Sequence, residues 1–172
     1  MSLAPSNIQP LASATQSFAT HAPALAAKGY SPIPLDGKQP KIPGWPQWVA
    51  PDPQRIDAWC HDFSDANVGL VCGDIVAIDF DLTDLAESEA AQQLARSIFG
   101  TTPLRRIGRP PKLALLFRAE GRIDSRSLGG IDILASGRQV AAFGIHPVTQ
   151  QPYTWPQQSP LDIPIEELPA VN

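Results

Sequence analysis

Asn67-Val-Gly-Leu-Val-Cys72, then Gly73-Asp74, then Ile75-Val-Ala-Ile-Asp79-Phe80-Asp81 is the stretch on which the reading of this chain turns. Two short runs rich in Val and Ile, divided by a Gly-Asp pair, predict a β-hairpin. The second run ends in Asp79-Phe80-Asp81. Residues two apart on an extended chain project from one face, so both carboxylates leave the sheet on the same side. Like charges so placed repel, and a divalent cation held by hard oxygen ligands, Mg²⁺ or Mn²⁺, would neutralise them. The same residues allow a plainer arrangement, in which Asp81 caps the helix that follows and Asp79 faces solvent.

Downstream, residues 83–99 are rich in Ala, Leu, Glu and Gln, with Leu85, Ala90, Leu94 and Ile98 as apolar positions and Gly100 as a stop, which predicts a long helix. Residues 104–107 and 113–117 read as strands around the loop Gly108-Arg109-Pro110-Pro111-Lys112, and 131–134 with 140–145 as a further strand pair. The tail beyond Trp155 is interrupted by prolines and predicts an irregular strap. Upstream, Leu11, Ala14, Phe18, Ala22 and Leu25 recur near helical spacing over 11–28, with Gly29 as a left-handed stop. Tyr30-Ser-Pro-Ile-Pro-Leu35 is extended, its prolines forbidding a central strand, and Asp36-Gly37 is a turn. A loop carrying Lys38 and Lys41 leads to Trp48, after which Asp52-Pro53 has the form of an N-cap and first helical residue, with Ile56, Trp59 and Phe63 as the buried stripe.

Composition sets the bounds. The chain has 172 residues, 43% hydrophobic and 17% charged, enough for one domain with a sizeable core. Its 19 prolines exclude a long coiled coil or helical bundle, since each interior proline costs roughly 3 kcal/mol of helix. Strands and helices in this order give an α+β class. No run approaches the roughly 20 apolar residues of a membrane span, and no basic segment precedes an apolar signal core, so the expected location is cytoplasmic, away from membranes. Cys60 and Cys72 form no Cys-x-x-Cys pair, and zinc is not expected. The net charge of -4 means that contact with nucleic acid has to come from a local basic patch or through a metal.

Asp132 repeats the theme of the first acidic pair, a carboxylate within the apolar frame Gly129-Gly-Ile-Asp-Ile-Leu-Ala135. Buried without a partner it costs free energy. On a neighbouring strand it would complete, with Asp79 and Asp81, the acidic set of a two-metal phosphoryl-transfer site; alternatively it faces solvent. Cationic groups surround this centre in sequence: Arg105, Arg106, Arg109 and Lys112, then Arg138, and His146 in Gly144-Ile-His-Pro147. Such groups suit a nucleoside triphosphate or a template backbone. Lys38 and Lys41 either reach a phosphate or decorate their loop.

Taken in order, Gly29-Tyr-Ser-Pro-Ile-Pro34, the loop Pro40-Lys-Ile-Pro-Gly-Trp45, Asn67-Val-Gly-Leu70, Asp79-Phe-Asp81, Arg106-Ile-Gly-Arg-Pro-Pro-Lys112, Gly130-Ile-Asp132 and Gly144-Ile-His-Pro147 with Tyr153-Thr-Trp155 span most of the chain. This series resembles the bifunctional DNA primase/polymerase N-terminal domain, the prim-pol branch of the archaeo-eukaryotic primases found in plasmid, phage and prophage replication proteins. The resemblance implies an RRM-like mixed or antiparallel sheet flanked by helices, template-directed nucleotidyl transfer on a single-stranded DNA template with nucleoside triphosphates, and Mg²⁺ or Mn²⁺. It makes Asp79, Asp81 and Asp132 the catalytic metal ligands and matches Lys112 and His146 to nucleotide-contacting positions, while the basic groups Arg106, Arg109, Arg138 and Lys41, read from the residues themselves, are expected to position template and triphosphate. The family's second motif usually supplies a histidine to the triphosphate, and here Lys112 stands in the matching stretch. Residues 1–28 would be a helical segment of the domain whose catalytic part is 29–172, the N-terminal part of a larger replication protein with a fused or separate helicase. Two other functions remain open on the same residues: a catalytically inactive nucleotide or single-stranded DNA-binding module, and a metal-dependent nuclease.

Overall fold

The structure, a computed structural model, describes residues 17–172. The start of the helix expected over 11–28 lies outside them. Its remainder is α1 (Phe18–Ala27), which buries Phe18, Ala22 and Leu25 and is followed by Gly29 at φ 85°. Then come β1 (Pro32–Asp36), β2 (Gln39–Pro40) and α2 (Pro53–Asp62). Asp52 caps α2, its carboxylate accepting the Arg55 N–H at 2.8 Å, and Ile56 and Trp59 are buried beneath it. The chain continues through β3 (Asn67–Val71), β4 (Ile75–Phe80), α3 (Leu85–Phe99), β5 (Arg105–Arg109), β6 (Lys112–Ala119), β7 (Arg126–Ser127), β8 (Ile131–Leu134), β9 (Gln139–Phe143) and β10 (Ala170–Val171). No helix among the described residues is long and apolar enough to cross a membrane.

The class is α+β, with antiparallel and mixed pairing distributed over two sheets. One has the order β2-β1-β3-β9; the other runs β10-β6-β4-β8-β7, with β5 also on β6 and β10 parallel to it. The β5–β6 hairpin forms as expected. The hairpin expected over 67–79 does not form, and the strands 131–134 and 140–145 do not pair with each other: β3 pairs with β9, and β4 pairs with β8. Cys72-Gly73-Asp74 is a bend through which the chain continues forward. The ladder is carried around it, with Val71 opposite Gln139, the Cys72 N–H donating to the Arg138 carbonyl at 2.8 Å, and Ala77 opposite Leu134. Residues 67–80 thus form one bent arm and 131–143 its antiparallel partner. The physical reason is burial. Almost every residue of β3 and β4 is buried, so both strands need cover on both faces and a neighbour at both edges, as the centres of two sheets provide.

β1 also has neighbours on both sides, despite Pro32 and Pro34. The Val71 N–H donates to the Ser31 carbonyl, which sets the alternation along the strand. The odd-numbered residues bond β3, and the two missing proline N–H groups point the other way, where β2 pairs only with Leu35 and Asp36. The tail is the expected strap and ends by adding β10 to β6; it is pinned where the buried Tyr30 hydroxyl donates to the Ile163 carbonyl at 2.8 Å.

Two apolar clusters result. The larger holds residues of α1, α2, β1, β3 and β9 together with Ala77, Ala114 and Leu116 of the second sheet. The smaller holds Val76, Ile78, Phe80, Leu113 and Phe117 on that sheet's other face, with Ala95 of α3. Here the apolar positions that predicted α3 turn out to face away: Leu85, Ala90, Leu94 and Ile98 are all exposed. The helix lies instead on Ser88, Ala91 and Ala95, because a helix resting on large sheet residues such as Phe80 and Phe117 approaches through small side chains.

Candidate active site

Successive strands of the second sheet place Arg106 opposite Ala114, Ala114 opposite Asp79, Asp79 opposite Asp132, and Asp132 opposite Ser127. Directly opposed residues share a face, so this is one rung of side chains. Two residues earlier on the same face of β4, Ala77 is packed in the larger core. The rung therefore sits at the rim where that core ends.

Asp79 and Asp81 project from this face, and neither takes the plainer role the sequence allows. The cap of α3 is Asp84, whose carboxylate accepts the Glu87 N–H at 2.9 Å. Asp81 is instead paired with Lys112, Oδ1 to Nζ 2.6 Å. The loop before Lys112 is fixed from below, since Ser88 of α3 is fully buried and its hydroxyl donates to the Pro111 carbonyl at 3.2 Å. Asp79 accepts a hydrogen bond from Arg106 Nη2 at 3.2 Å. Burial pushes the Asp79 carboxyl above its ordinary range; Arg106 and Lys38 oppose that rise, while Asp81 and Asp132 add to it.

Arg106 is only 7% exposed, and its other nitrogen, Nη1, donates to the Ala141 carbonyl at 2.8 Å. Its guanidinium also lies over the Tyr153 ring, 5.1 Å from the centroid. This arginine passes over the small Ala114 and ties β9 to Asp79, so its charge is spent inside the protein. Asp132 receives no such cation. Its Oδ1 is buried without a hydrogen-bond partner among the described residues, and the residue lines a cavity of about 260 Å³ with Ser125, Arg126, Ser127 and Arg138.

Two loops close over the rung. Asn67 clamps them together: its Nδ2 donates to the carbonyls of Gly37 (2.9 Å) and Ile145 (2.8 Å), and its Oδ1 accepts the Ile145 N–H at 2.9 Å. Gly144, at φ 105°, leaves room for that amide, which any side chain there would overlap. The first loop presents Lys38, whose carbonyl accepts from Gln139 at 2.9 Å. Its ammonium pKa is lowered by desolvation and by Arg106 and Lys112, against the pull of Asp79 and Asp81. The second loop presents His146, which is buried, with Nδ1 accepting the N–H groups of Val148 and Thr149, each at 3.2 Å. The neutral ring then carries its proton on Nε2. Burial, then Lys38, Arg106, Arg109 and Lys112, hold its pKa below the ordinary histidine range.

Of the residues singled out in the sequence, Asp79, Asp81, Asp132, Arg106, Lys112 and His146 come together, with Arg109 exposed opposite Lys112 and Arg138 beside Asp132. Lys41 does not join them; its ammonium lies 5.6 Å from the Phe63 ring centroid, in a separate cavity bordered by Asp36, Asp62 and Asp65. Lys38 lies near the rung instead, within electrostatic reach of Asp79 and Asp81, and the local sequence carries no signal for Asn67 or Arg126. Nothing in the local sequence distinguishes Lys38 from Lys41, because the tight turn at Gly37 decides which of them points back toward β4.

Among the described residues no three His, Cys, Asp or Glu groups converge into a ready-made metal cage. The donor set is nonetheless hard oxygen, and Asp132, opposite Asp79 and with its Oδ1 unpartnered among the described residues, fits a divalent cation held between the two strands. No curated protein matches the chain. By sequence it matches the family described as bifunctional DNA primase/polymerase, N-terminal, over residues 22–171, and the chain belongs to that Prim-Pol family.

Proposed function

We propose that the chain is a template-directed nucleotidyltransferase, a DNA primase/polymerase acting in replication of a plasmid, phage or prophage element, with the rung of Asp79 and Asp132 as its reaction centre. Primase/polymerase-type transfer is the chemistry of its family. The observation that carries the assignment to these residues is the opposition of Asp79 and Asp132 across β4 and β8, with an unpartnered carboxylate oxygen on Asp132 in a cavity that Arg126 and Arg138 also line. A carboxylate oxygen left unpartnered opposite a second carboxylate is an acceptor that a bound cation would satisfy.

Asp79, Asp81 and Asp132 are the residues that would hold Mg²⁺ or Mn²⁺, which when bound supplies charge neutralisation for the attacking 3′-hydroxyl and the departing pyrophosphate. The chain's own groups do the rest. Arg106 fixes the orientation of Asp79 and offsets its charge from within. Lys112 offers an ammonium at the position where the family usually has a histidine, and it exchanges Asp81 for a triphosphate oxygen when nucleotide enters. Lys38 and the Nε2–H of His146 line the same side of the rung and donate to phosphate oxygens. Arg126, Arg138 and Ser127, around the cavity at Asp132, suit the sugar-phosphate of a primer or an incoming nucleotide.

A second reading, the inactive nucleotide or single-stranded DNA-binding module, has one observation in its favour: Asp79 and Asp81 are each already matched by a protein cation. Primer extension on a single-stranded template with Mg²⁺ or Mn²⁺ separates the two. Extension that is lost in Asp132→Asn supports transfer, whereas tight template binding with no extension by folded protein supports the binding module.

A further inference from the structure

On the face of the second sheet turned away from the carboxylates, α3 and β5 border a groove. At one end is a cavity of about 310 Å³ lined by Gln92, Arg96, Thr101, Thr102, Arg105 and Gln157, and no Asp or Glu contributes to its wall. In a chain of net charge -4, two arginines in a carboxylate-free cavity run against the composition. Neither side chain has an ion pair or hydrogen bond with any described residue, and Arg105 Nε is buried without a partner. Two guanidinium groups sharing one cavity repel each other, and a phosphate resolves the repulsion while satisfying the buried N–H.

The groove continues. A second cavity of about 340 Å³ shares Gln92 and Arg105 with the first and reaches Ile107, Pro111 and Lys112, with Leu85 on its helix side. Glu89 is the carboxylate on its wall. Leu85 is 62% exposed, an apolar surface with nothing on it. Guanidinium at one end, apolar and proline surface in the middle and an ammonium at the far end alternate as phosphate and base do along a strand. The far ammonium is the Lys112 that pairs with Asp81, so the groove ends at the edge of the carboxylate site.

We propose that this groove binds single-stranded nucleic acid by its sugar-phosphate backbone, with Arg96 and Arg105 gripping the strand on the far side of the sheet from the carboxylates and leading it to the edge of the site, where Lys112 is kept for the triphosphate. The direction of travel rests on the nucleotidyl-transfer reading; the binding itself does not.

The test is fluorescence anisotropy of a dye-labelled single-stranded oligodeoxynucleotide, titrated with the full chain in EDTA across a salt series. R96Q/R105Q is expected to weaken binding at least tenfold at low salt. It should also flatten the slope of log K against log salt by about 1.4, two phosphate contacts at roughly 0.7 each. R96K/R105K keeps both charges and should keep the slope. If the double glutamine variant melts early, R96Q alone, at an exposed position, is expected to lower the slope by about 0.7. An unchanged slope in folded R96Q/R105Q, or in R96Q where that replaces it, overturns the proposal. So does arginine-dependent binding of a free deoxynucleoside triphosphate, measured by calorimetry, without arginine-dependent binding of the oligonucleotide, which would make the cavity a nucleotide site. The two failures are separable. Unchanged binding in the arginine variants alongside extension that depends on Asp132 removes only the groove, and arginine-dependent binding by a wild type that extends nothing removes only the transfer reading.

Discussion

Asp79 faces Asp132 directly across β4 and β8, yet the cation that touches Asp79 comes from β5 on the opposite side, and Asp132 receives none. The two carboxylates therefore respond differently to removal of charge. Asp132→Asn relieves repulsion and orphans no cation, so thermal stability is expected to stay within about 1 kcal/mol of wild type. Asp79→Ala strips a buried guanidinium of its counter-charge and is expected to cost about 2 kcal/mol, reduced from the fully buried case because the Asp79 side chain is 31% exposed. Urea titrations of both variants check the ordering; equal stabilities would show that Arg106 does not depend on Asp79.

His146 provides a pH signature. Its folded pKa lies below the ordinary value of 6.5, because burial and four cations disfavour the imidazolium. The unfolded chain then binds the proton more readily, so stability rises with pH across the window between the folded pKa and 6.5 and is lost on acidification through it. Protonation of Nδ1 would also break the bonds from the Val148 and Thr149 N–H groups. Thermal melts between about pH 7 and 5 should show a decline that is smaller in His146→Asn, whose amide oxygen accepts without titrating. A decline of the same size in the variant would assign the effect elsewhere.

Asn67→Ala should cost about 2–3 kcal/mol, since three hydrogen bonds to loop backbone are lost together. The functional effect goes beyond stability, because the same amide holds Lys38 and His146 in register. Steady-state kinetics at a temperature where the variant is fully folded should show a raised KM for nucleotide. A KM equal to that of wild type would reduce Asn67 to a structural residue.

Gly108 tests how closely the rim is packed. A Cβ there would lie 2.7 Å from Tyr153 and 2.9 Å from His146, so Gly108→Ala displaces the Tyr153 ring beneath Arg106 and the His146 ring edge-on to that ring, and is expected to cost about 1–3 kcal/mol. The melt of the purified variant reports this, and an unchanged melting temperature would show that the loop gives way without strain.

How far the sequence could be read follows from which interactions are local. Helix caps such as Asp52, the β5–β6 hairpin and the projection of Asp79 with Asp81 depend on neighbours in the chain and were legible. The pairing of β3 with β9 and of β4 with β8 depends on partners some 70 and 50 positions away, and the Gly73-Asp74 pair marks only that the chain bends. The face that α3 buries departs from its apolar positions for a related reason: what a helix buries is set by the size of the sheet residues beneath it, here Phe80 and Phe117. At the site, the acidic residues and their basic neighbours were readable as types. That Arg106 is enclosed, that Lys38 replaces Lys41 and that Asn67 holds the loops all follow from contacts between distant segments.

The most direct test of the central claim is primer extension on a single-stranded template with Mn²⁺, comparing wild type with Asp132→Asn. Asp132 has no ion pair to lose, so the variant keeps its fold and any loss reports chemistry. Extension by wild type that falls at least about 100-fold in Asp132→Asn is the predicted result. Extension that continues undiminished would contradict the assignment of the Asp79–Asp132 rung as the reaction centre.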